Sequence, residues 1–332
     1  MSINEPTQHP RKEGVIPRRY GFLLLPGYSL IAFASAIEAL RMANWVSGQD
    51  LYECTMISPY GAAVTSSCGV ETRADGSLEQ MPEFDSLIVC GASPVARTGN
   101  ESVIRWLRHL NRRGMEVGGI GTGSYLLACA GLLDGYRATI HWWDLGSLRD
   151  EFPNISVSSN LFEIDRDRIT CGGGSAAMDM MLFLIGQQHG LEIASAISEQ
   201  FVCERIRPPE HPQRIPLQAR IGTSHNKLIE AVSLMEANID EPLTTDDLAF
   251  HVGVSRRHLE RLFKKHLQSV PSKYYLQLRL EKARQQLQQT EVPVAEVARI
   301  CGFATASHFS TTYRNHYGLT PRQERSAKLG KG

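Results

Sequence analysis

The strongest constraint on this 332-residue chain is a repeat near its C-terminal end. Ala249-x-x-x-Gly253 precedes Ser255, Leu259 and Phe263, and Ala298-x-x-x-Gly302 precedes Thr305, Phe309 and Tyr313. The offset is 49 residues before the turn and 50 after it, so the second turn is one residue longer. In each copy a glycine closes one helix and a hydroxyl residue is placed to cap the orphan N–H groups of the next. Apolar residues four apart then line one face of that second helix. Helix, glycine turn and capped second helix make a helix-turn-helix, written here twice in tandem. Between the copies, residues 272–288 read as a long helix with Tyr275, Leu278, Leu280 and Leu287 as its apolar positions.

Charge follows the same division. The chain has 35 basic and 35 acidic residues. Residues 1–219 carry 18 basic and 24 acidic ones, whereas residues 220–332 carry 17 and 11. A basic block on an acidic body suits a polyanion-binding module on its own domain. A helical bundle with a solvated basic face has the same composition, so the motifs decide. A helix-turn-helix puts its second helix in the major groove, with its first residues toward the base edges. The first copy offers Ser255, Arg256, Arg257, His258 and Arg261 there. Arginine forks match guanine, while Lys264 and Lys265 suit phosphates. The second copy offers Thr305, Ala306, Ser307, His308, Thr311 and Arg314, fitted to phosphate bonds and thymine methyls. Leu259, Leu262, Phe263, Phe309 and Tyr313 read as core. Two such motifs in the basic third of the chain point to double-stranded DNA as a partner.

The first two-thirds alternate short apolar runs with helical stretches. Residues 20–25, 52–57, 86–90 and 117–120 read as strands; 29–45, 102–112, 124–130, 176–188 and 191–202 read as helices. That alternation argues for a doubly wound, flavodoxin-like α/β domain with a parallel sheet covered on both faces. The expected organisation is a loose arm over 1–18, an α/β domain over 19–206, a linker over 207–224 and an all-α domain over 225–325. The linker holds Pro208, Pro209, Pro212 and Pro216 beside Arg207, Arg214 and Arg220, a semi-stiff composition. The N-terminus lacks the apolar stretch of a secretory signal, and no run approaches the roughly 18 apolar residues that span a bilayer. The seven cysteines are scattered without a C-x-x-C pair, so neither a zinc site nor a disulfide framework is expected. A cytoplasmic protein without membrane contact, metal or cofactor is the expectation.

Asp246-Asp247-Leu248-Ala249, Gly253-Val254-Ser255, Leu262-Phe263, Ala298-Arg299-Ile300-Cys301-Gly302-Phe303, Ser307-His308-Phe309-Ser310, Tyr313-Arg314 and Gly318-Leu319-Thr320-Pro321 resemble the AraC-type DNA-binding domain over about a hundred residues. Glu324-Arg325 stands where that family often has Tyr-Arg, a difference expected to matter little. The corner Gly118-Gly119-Ile120-Gly121-Thr122-Gly123-Ser124 resembles the nucleophile elbow of the PfpI-type, class I glutamine amidotransferase-like fold. With Pro26-Gly27-Tyr28-Ser29, Ala138-Thr139-Ile140-His141-Trp142 and Cys171-Gly172-Gly173-Gly174-Ser175, the whole chain is similar to the GlxA-type transcriptional regulators. The resemblance implies a DNA-binding regulator, an activator that works with RNA polymerase, and a homodimer.

Catalytic members of the PfpI fold carry a cysteine at the elbow, where this chain has Gly121, and their acidic partner aligns with Ala32. His141 survives alone. Ser124 and Cys171 are weighed as substitute nucleophiles, but no base is placed for either, so an enzyme is not expected. The degenerate elbow reads instead as a ligand cradle. Gly121, Thr122, Gly123 and Gly173 lie at helix entries that suit a carboxylate. His141 and Trp142 offer an aromatic face for a quaternary ammonium, and Glu38 a counter-charge. A small zwitterionic nitrogenous metabolite, such as a betaine, a carnitine-like amine or an amino acid, fits that set; regulators of this type often sense such compounds. Two other readings stay open: a PfpI-like hydrolase or amidase fused to a DNA reader, and a constitutive DNA-binding protein with a dimerising N-domain.

Overall fold

The structure, a computed structural model, describes residues 16–80, 83–91, 101–110, 115–214, 217–289 and 292–329. It divides into two compact units between Gln213 and Arg214. Residues 1–15 of the expected arm, Arg112 and Pro216 lie outside the described residues.

In chain order the first unit holds β1 (Arg18–Leu24), α1 (Leu30–Ser47), β2 (Tyr52–Ser58), β3 (Val64–Thr65), β4 (Glu71–Thr72), β5 (Gly76–Ser77) and β6 (Ser86–Cys90). It continues with α2 (Glu101–Leu110), β7 (Glu116–Ile120), α3 (Gly123–Cys129), β8 (Arg137–Ala138), α4 (Leu145–Glu151) and β9 (Ser156–Val157). The hairpin β10 (Phe162–Asp165) and β11 (Arg168–Cys171) and the helices α5 (Ala176–His189) and α6 (Leu191–Gln200) complete it. Seven strands form one sheet in the order β10-β11-β7-β6-β1-β2-β5. All its pairs are parallel except β10 with β11.

The two-residue period of β1 explains the layers. Tyr20, Phe22 and Leu24 enter the core that α1, α5 and α6 cover. Leu23 and Leu25 enter the opposite core, with residues of α2, α3 and α4. Both faces are buried, so the strands read as continuous apolar runs. Arg18 already belongs to the sheet: its guanidinium bonds Ser86 and Glu116. The hairpin Phe162–Cys171 and α4 were not expected from the sequence. The hairpin turns through Arg166 at φ +57°, without the glycine that normally marks such a turn.

The second unit is helical: α7 (Leu217–Arg220), α8 (Asn226–Ala237), α9 (Thr245–His251), α10 (Arg256–Leu267), α11 (Pro271–Gln289), α12 (Val294–Ile300), α13 (Ala306–Tyr317) and α14 (Pro321–Leu329). One core joins α8, α9, α10 and Tyr275. A second joins Leu280, Ala283 and Leu287 to α12 and α13. The long helix α11 therefore serves both helix-turn-helix copies. Arg279 of α11 donates to the carbonyls of Cys301 and Gly302, closing the C-terminal end of α12. Glu324, given little weight in the sequence, is a buried acid that accepts from Arg284 and Gln288 of α11. It pins α14 onto the long helix.

The stretch 207–224 expected as a linker is bonded at both ends. Residues 207–213 are stitched onto the first unit, and Arg220 pairs with Glu236 of α8 in the second. Its prolines remove donors, but its arginines and Gln213 supply the side-chain bonds that hold it down.

Candidate functional site

In the first unit, strand β7 runs straight into α3 through Gly121, whose φ of +59° lies in the left-handed region. An added side chain at Gly121 would meet nothing within 4 Å. Its surroundings are tight. A methyl at Gly123 would lie 2.8 Å from the Val89 carbonyl carbon, with the Val89 oxygen closer still. A methyl at Gly91 would press on the Thr122 carbonyl carbon at 2.6 Å, and one at Gly119 on Ser124 Cα at 2.7 Å. The elbow shape is thus kept by close backbone packing, while the apex faces open space.

Gly173, at φ +86°, lies across from this apex. A methyl there would sit 3.2 Å from Gly121 Cα and 4.0 Å from Ala32 Cβ. Gly121, Gly173 and Ala32 therefore converge from the ends of β7 and β11 and the first turn of α1. Open α/β sheets bind ligands at this carboxyl end of the strands. Thr122 is buried beside them, and Gly123 starts α3.

His141, Trp142 and Trp143 form a half-buried aromatic run, with ring centroids 5.3 Å apart for the first pair and 5.2 Å for the second. His141 Nδ1 accepts the Trp143 backbone N–H at 3.4 Å, and burial holds the imidazole below its usual value. Glu38 stands on α1 with its charge already paired. It lies six residues beyond Ala32 on α1, about two-thirds of a turn round the helix. Its carboxylate pairs with Arg41 at 2.7 Å. The entry of α5 also differs from expectation, because the buried Asp179 carboxylate already occupies its first turn, held by Arg207.

The substitute nucleophiles are poorly placed for chemistry. Ser124 is fully buried, and its hydroxyl turns back to the Gly119 carbonyl. Cys171 is fully buried too, and desolvation pushes its thiol up to about 12, against formation of the reactive thiolate.

In the second unit both recognition helices carry their expected caps. Ser255 Oγ accepts from the His258 N–H at 3.3 Å, and Thr305 Oγ1 accepts from the His308 N–H at 3.1 Å. Leu259, Leu262, Phe263, Phe309 and Tyr313 are buried. Ser255, Arg256, Arg257, Arg261, Thr305, Ala306, Ser307, His308, Thr311 and Arg314 are exposed, and His258 is half-buried. Arg256 differs from the rest: its guanidinium bonds Asp246 of α9 and Glu260 of α10, both at 2.9 Å. It bridges the two helices of the first motif. Its four-residue spacing to Glu260 signalled part of this. Arg261 donates to His258 Nδ1 at 3.1 Å.

Sequence reasoning passed over Arg207 and Gln213, which lie among prolines. Gln213 Nε2 donates to Thr139 Oγ1 at 2.8 Å and to the carbonyls of Ile140 and Asn160 at 2.9 and 2.7 Å. The same carboxamide fills the space a side chain on Gly172 would need. One side chain thus borders both the aromatic run and the glycine loop.

Residues 18–187 match the DJ-1/PfpI family, and residues 248–327 match the helix-turn-helix domain. The chain is 47% identical over 312 residues to the HTH-type transcriptional regulator GbdR of Pseudomonas aeruginosa strain UCBPP-PA14, covering 94% of this chain and 85% of that protein. It is 35% identical over 305 residues to the HTH-type transcriptional regulator GlxA of Rhizobium meliloti strain 1021, covering 92% and 94%. A crystal structure of an AraC family transcriptional regulator from Pseudomonas putida superposes with a TM-score of 0.52 at 32% identity, covering 56% of this chain and all of that one.

Proposed function

The chain belongs to the HTH-type transcriptional regulators in which a DJ-1/PfpI domain precedes an AraC-type helix-turn-helix domain, and on that premise we propose that it is a ligand-controlled reader of promoter DNA. Its first unit senses a small zwitterionic nitrogenous metabolite, and its second unit binds the duplex through α10 and α13. The observation that carries the sensor reading is the open apex at Gly121, faced by Gly173 and Ala32 where the fold's enzymes need a nucleophile. The metabolite's carboxylate lies toward Gly121, Thr122, Gly123 and Gly173, and its cationic end toward His141 and Trp142. The side chain of Gln213 lies against Gly172 and bonds the Ile140 carbonyl, the neighbours of Gly173 and His141, which supports placing the glycine loop and the aromatic run at one site. Catalysis is disfavoured by the missing nucleophile and by the protonated, buried Cys171.

On DNA, Arg257 and Arg261 of α10 and Arg314 of α13 read or clasp the duplex, with Ser255, Thr305, Ala306, Ser307, His308 and Thr311 beside them. Arg256 serves the motif's own geometry, so Arg256→Ala weakens binding less than Arg261→Ala does. The protein acts in the cytoplasm as a homodimeric activator that engages RNA polymerase. Ile31 and Trp45, 62% and 52% exposed on α1, support a surface for a second copy. Among the described residues, no helix is long and apolar enough to cross a membrane.

A thermal-shift panel of glycine betaine, carnitine, choline, sarcosine and arginine tests the sensor. A compound present at a hundred times its dissociation constant stabilises the folded unit by about 2.7 kcal/mol. One selective upward shift is expected; none across the panel overturns the zwitterion reading.

A further inference from the structure

The segment 205–213 is bonded to the entry of α5, to residues 160–161 and to the start of the 139–142 run. Arg207 takes hold of α5 at its entry. Its backbone N–H and Nε donate to the Asp179 carboxylate at 2.8 and 3.0 Å, and Nη2 donates to Ser175 Oγ at 2.9 Å. Pro209 accepts the Leu161 N–H at 2.9 Å, and Pro212 forms a bridge with Asn160. Leu161 in turn accepts the Gly172 N–H at 3.0 Å. Gln213 closes the series on Thr139, Ile140 and Asn160, with its carboxamide against Gly172.

The order of these contacts matters. Gly172 adjoins Gly173, which faces Gly121 across the apex, and Ile140 adjoins His141 and Trp142. Any ligand that displaces the 172–175 loop or the 139–142 run must therefore change the footing of Gln213. The next residue, Arg214, is the first of the DNA-reading unit.

We infer that segment 205–213 is a strap that reports the state of the cradle to the DNA-reading unit, with Gln213 as its positioning residue. The inference rests on the cradle reading above. Gln213 seated on Thr139, Ile140 and Asn160 is one form; an occupied cradle shifts the balance between it and a released form. Control then follows from the ligand's different affinity for these two forms. Gln213 is not among the residues proposed to hold the metabolite or the duplex, so its loss separates communication from binding at either end.

The test uses the full chain, with glycine betaine, carnitine and arginine as probes and a duplex that the wild-type chain enriches from a random-sequence pool. Two variants are compared: Gln213→Ala, which deletes the carboxamide, and Gln213→Glu, which keeps the shape but loses the donors. For each, the probe-induced melting shift and the probe-induced change in DNA affinity are measured. The wild type is expected to change DNA affinity about tenfold with the effective probe. In the variants the melting shift persists while that change falls below about twofold. If Gln213→Ala lacks a cooperative melt, Gln213→Glu decides. Variants that bind the probe and still change DNA affinity like the wild type overturn the strap and leave the cradle standing. A wild type that no probe stabilises overturns the cradle, and the strap with it.

Discussion

The elbow corner makes a paired prediction, Gly121→Ala against Gly123→Ala. At Gly121 the added methyl meets open space, so its cost is only that of a left-handed L-residue, about 1–2 kcal/mol. For a unit of this size each kcal/mol lowers the melting temperature by about 2–4 °C, giving a fall of about 2–8 °C. At Gly123 the methyl drives into the Val89 carbonyl. Val89 is fully buried in β6, which is paired on both sides by β1 and β7. That backbone has no room to yield, so the cost exceeds the upper end of ordinary overpacking, about 3 kcal/mol. The fall then exceeds about 6 °C and can abolish folding of the unit. The assay is direct, because all four tryptophans, Trp45, Trp106, Trp142 and Trp143, lie in the first unit. Tryptophan emission during heating therefore follows this unit alone. Equal costs for the two alanines, or a Gly123→Ala chain that melts within about 2 °C of the wild type, would refute the corner geometry.

Three further predictions concern stability. Gly253 and Gly302 occupy the same place in the two motifs, at φ +70° and +72°, but only Gly302 is crowded, by Ile239 O at 2.5 Å and Pro242 Cγ at 2.6 Å. Gly253→Ala costs about 1–2 kcal/mol and Gly302→Ala distinctly more, as read by circular dichroism of the helical transition. Ser255→Ala and Thr305→Ala each remove a cap and cost about 1 kcal/mol by urea denaturation. Burial depresses His141 and His189 below 6.5, so the unfolded chain takes up protons first as pH falls. Stability of the first unit is therefore full above about pH 6.5 and declines below it; His141→Asn makes that decline shallower in tryptophan-monitored melts.

Much of this molecule is legible in the sequence because its signals are local and periodic. Ser255 and Thr305 announce caps by residue type and position, and the buried Leu259, Phe263, Phe309 and Tyr313 follow from helical spacing. The alternation of apolar runs gives the parallel sheet. The antiparallel hairpin at 162–171 escapes because its strands are four residues each and mixed with charge, and its turn uses Arg166 in place of glycine. Glu38 is legible as an acid on the first helix, but its pairing with Arg41, three residues on, is fixed by side-chain geometry that a sequence does not give. Arg207, Asp179 and Gln213 act through contacts 28 to 74 residues apart in the chain. No local pattern encodes those pairings; only the folded sheet brings them together.

The central claim is that one chain couples a metabolite to DNA. The most direct measurement is the affinity of the full chain for its enriched duplex, with and without each of the zwitterions at saturating concentration and fixed salt. The account predicts that one of them changes the dissociation constant by about 5- to 150-fold. An affinity that stays the same with every compound, including one that raises the melting temperature, would contradict it.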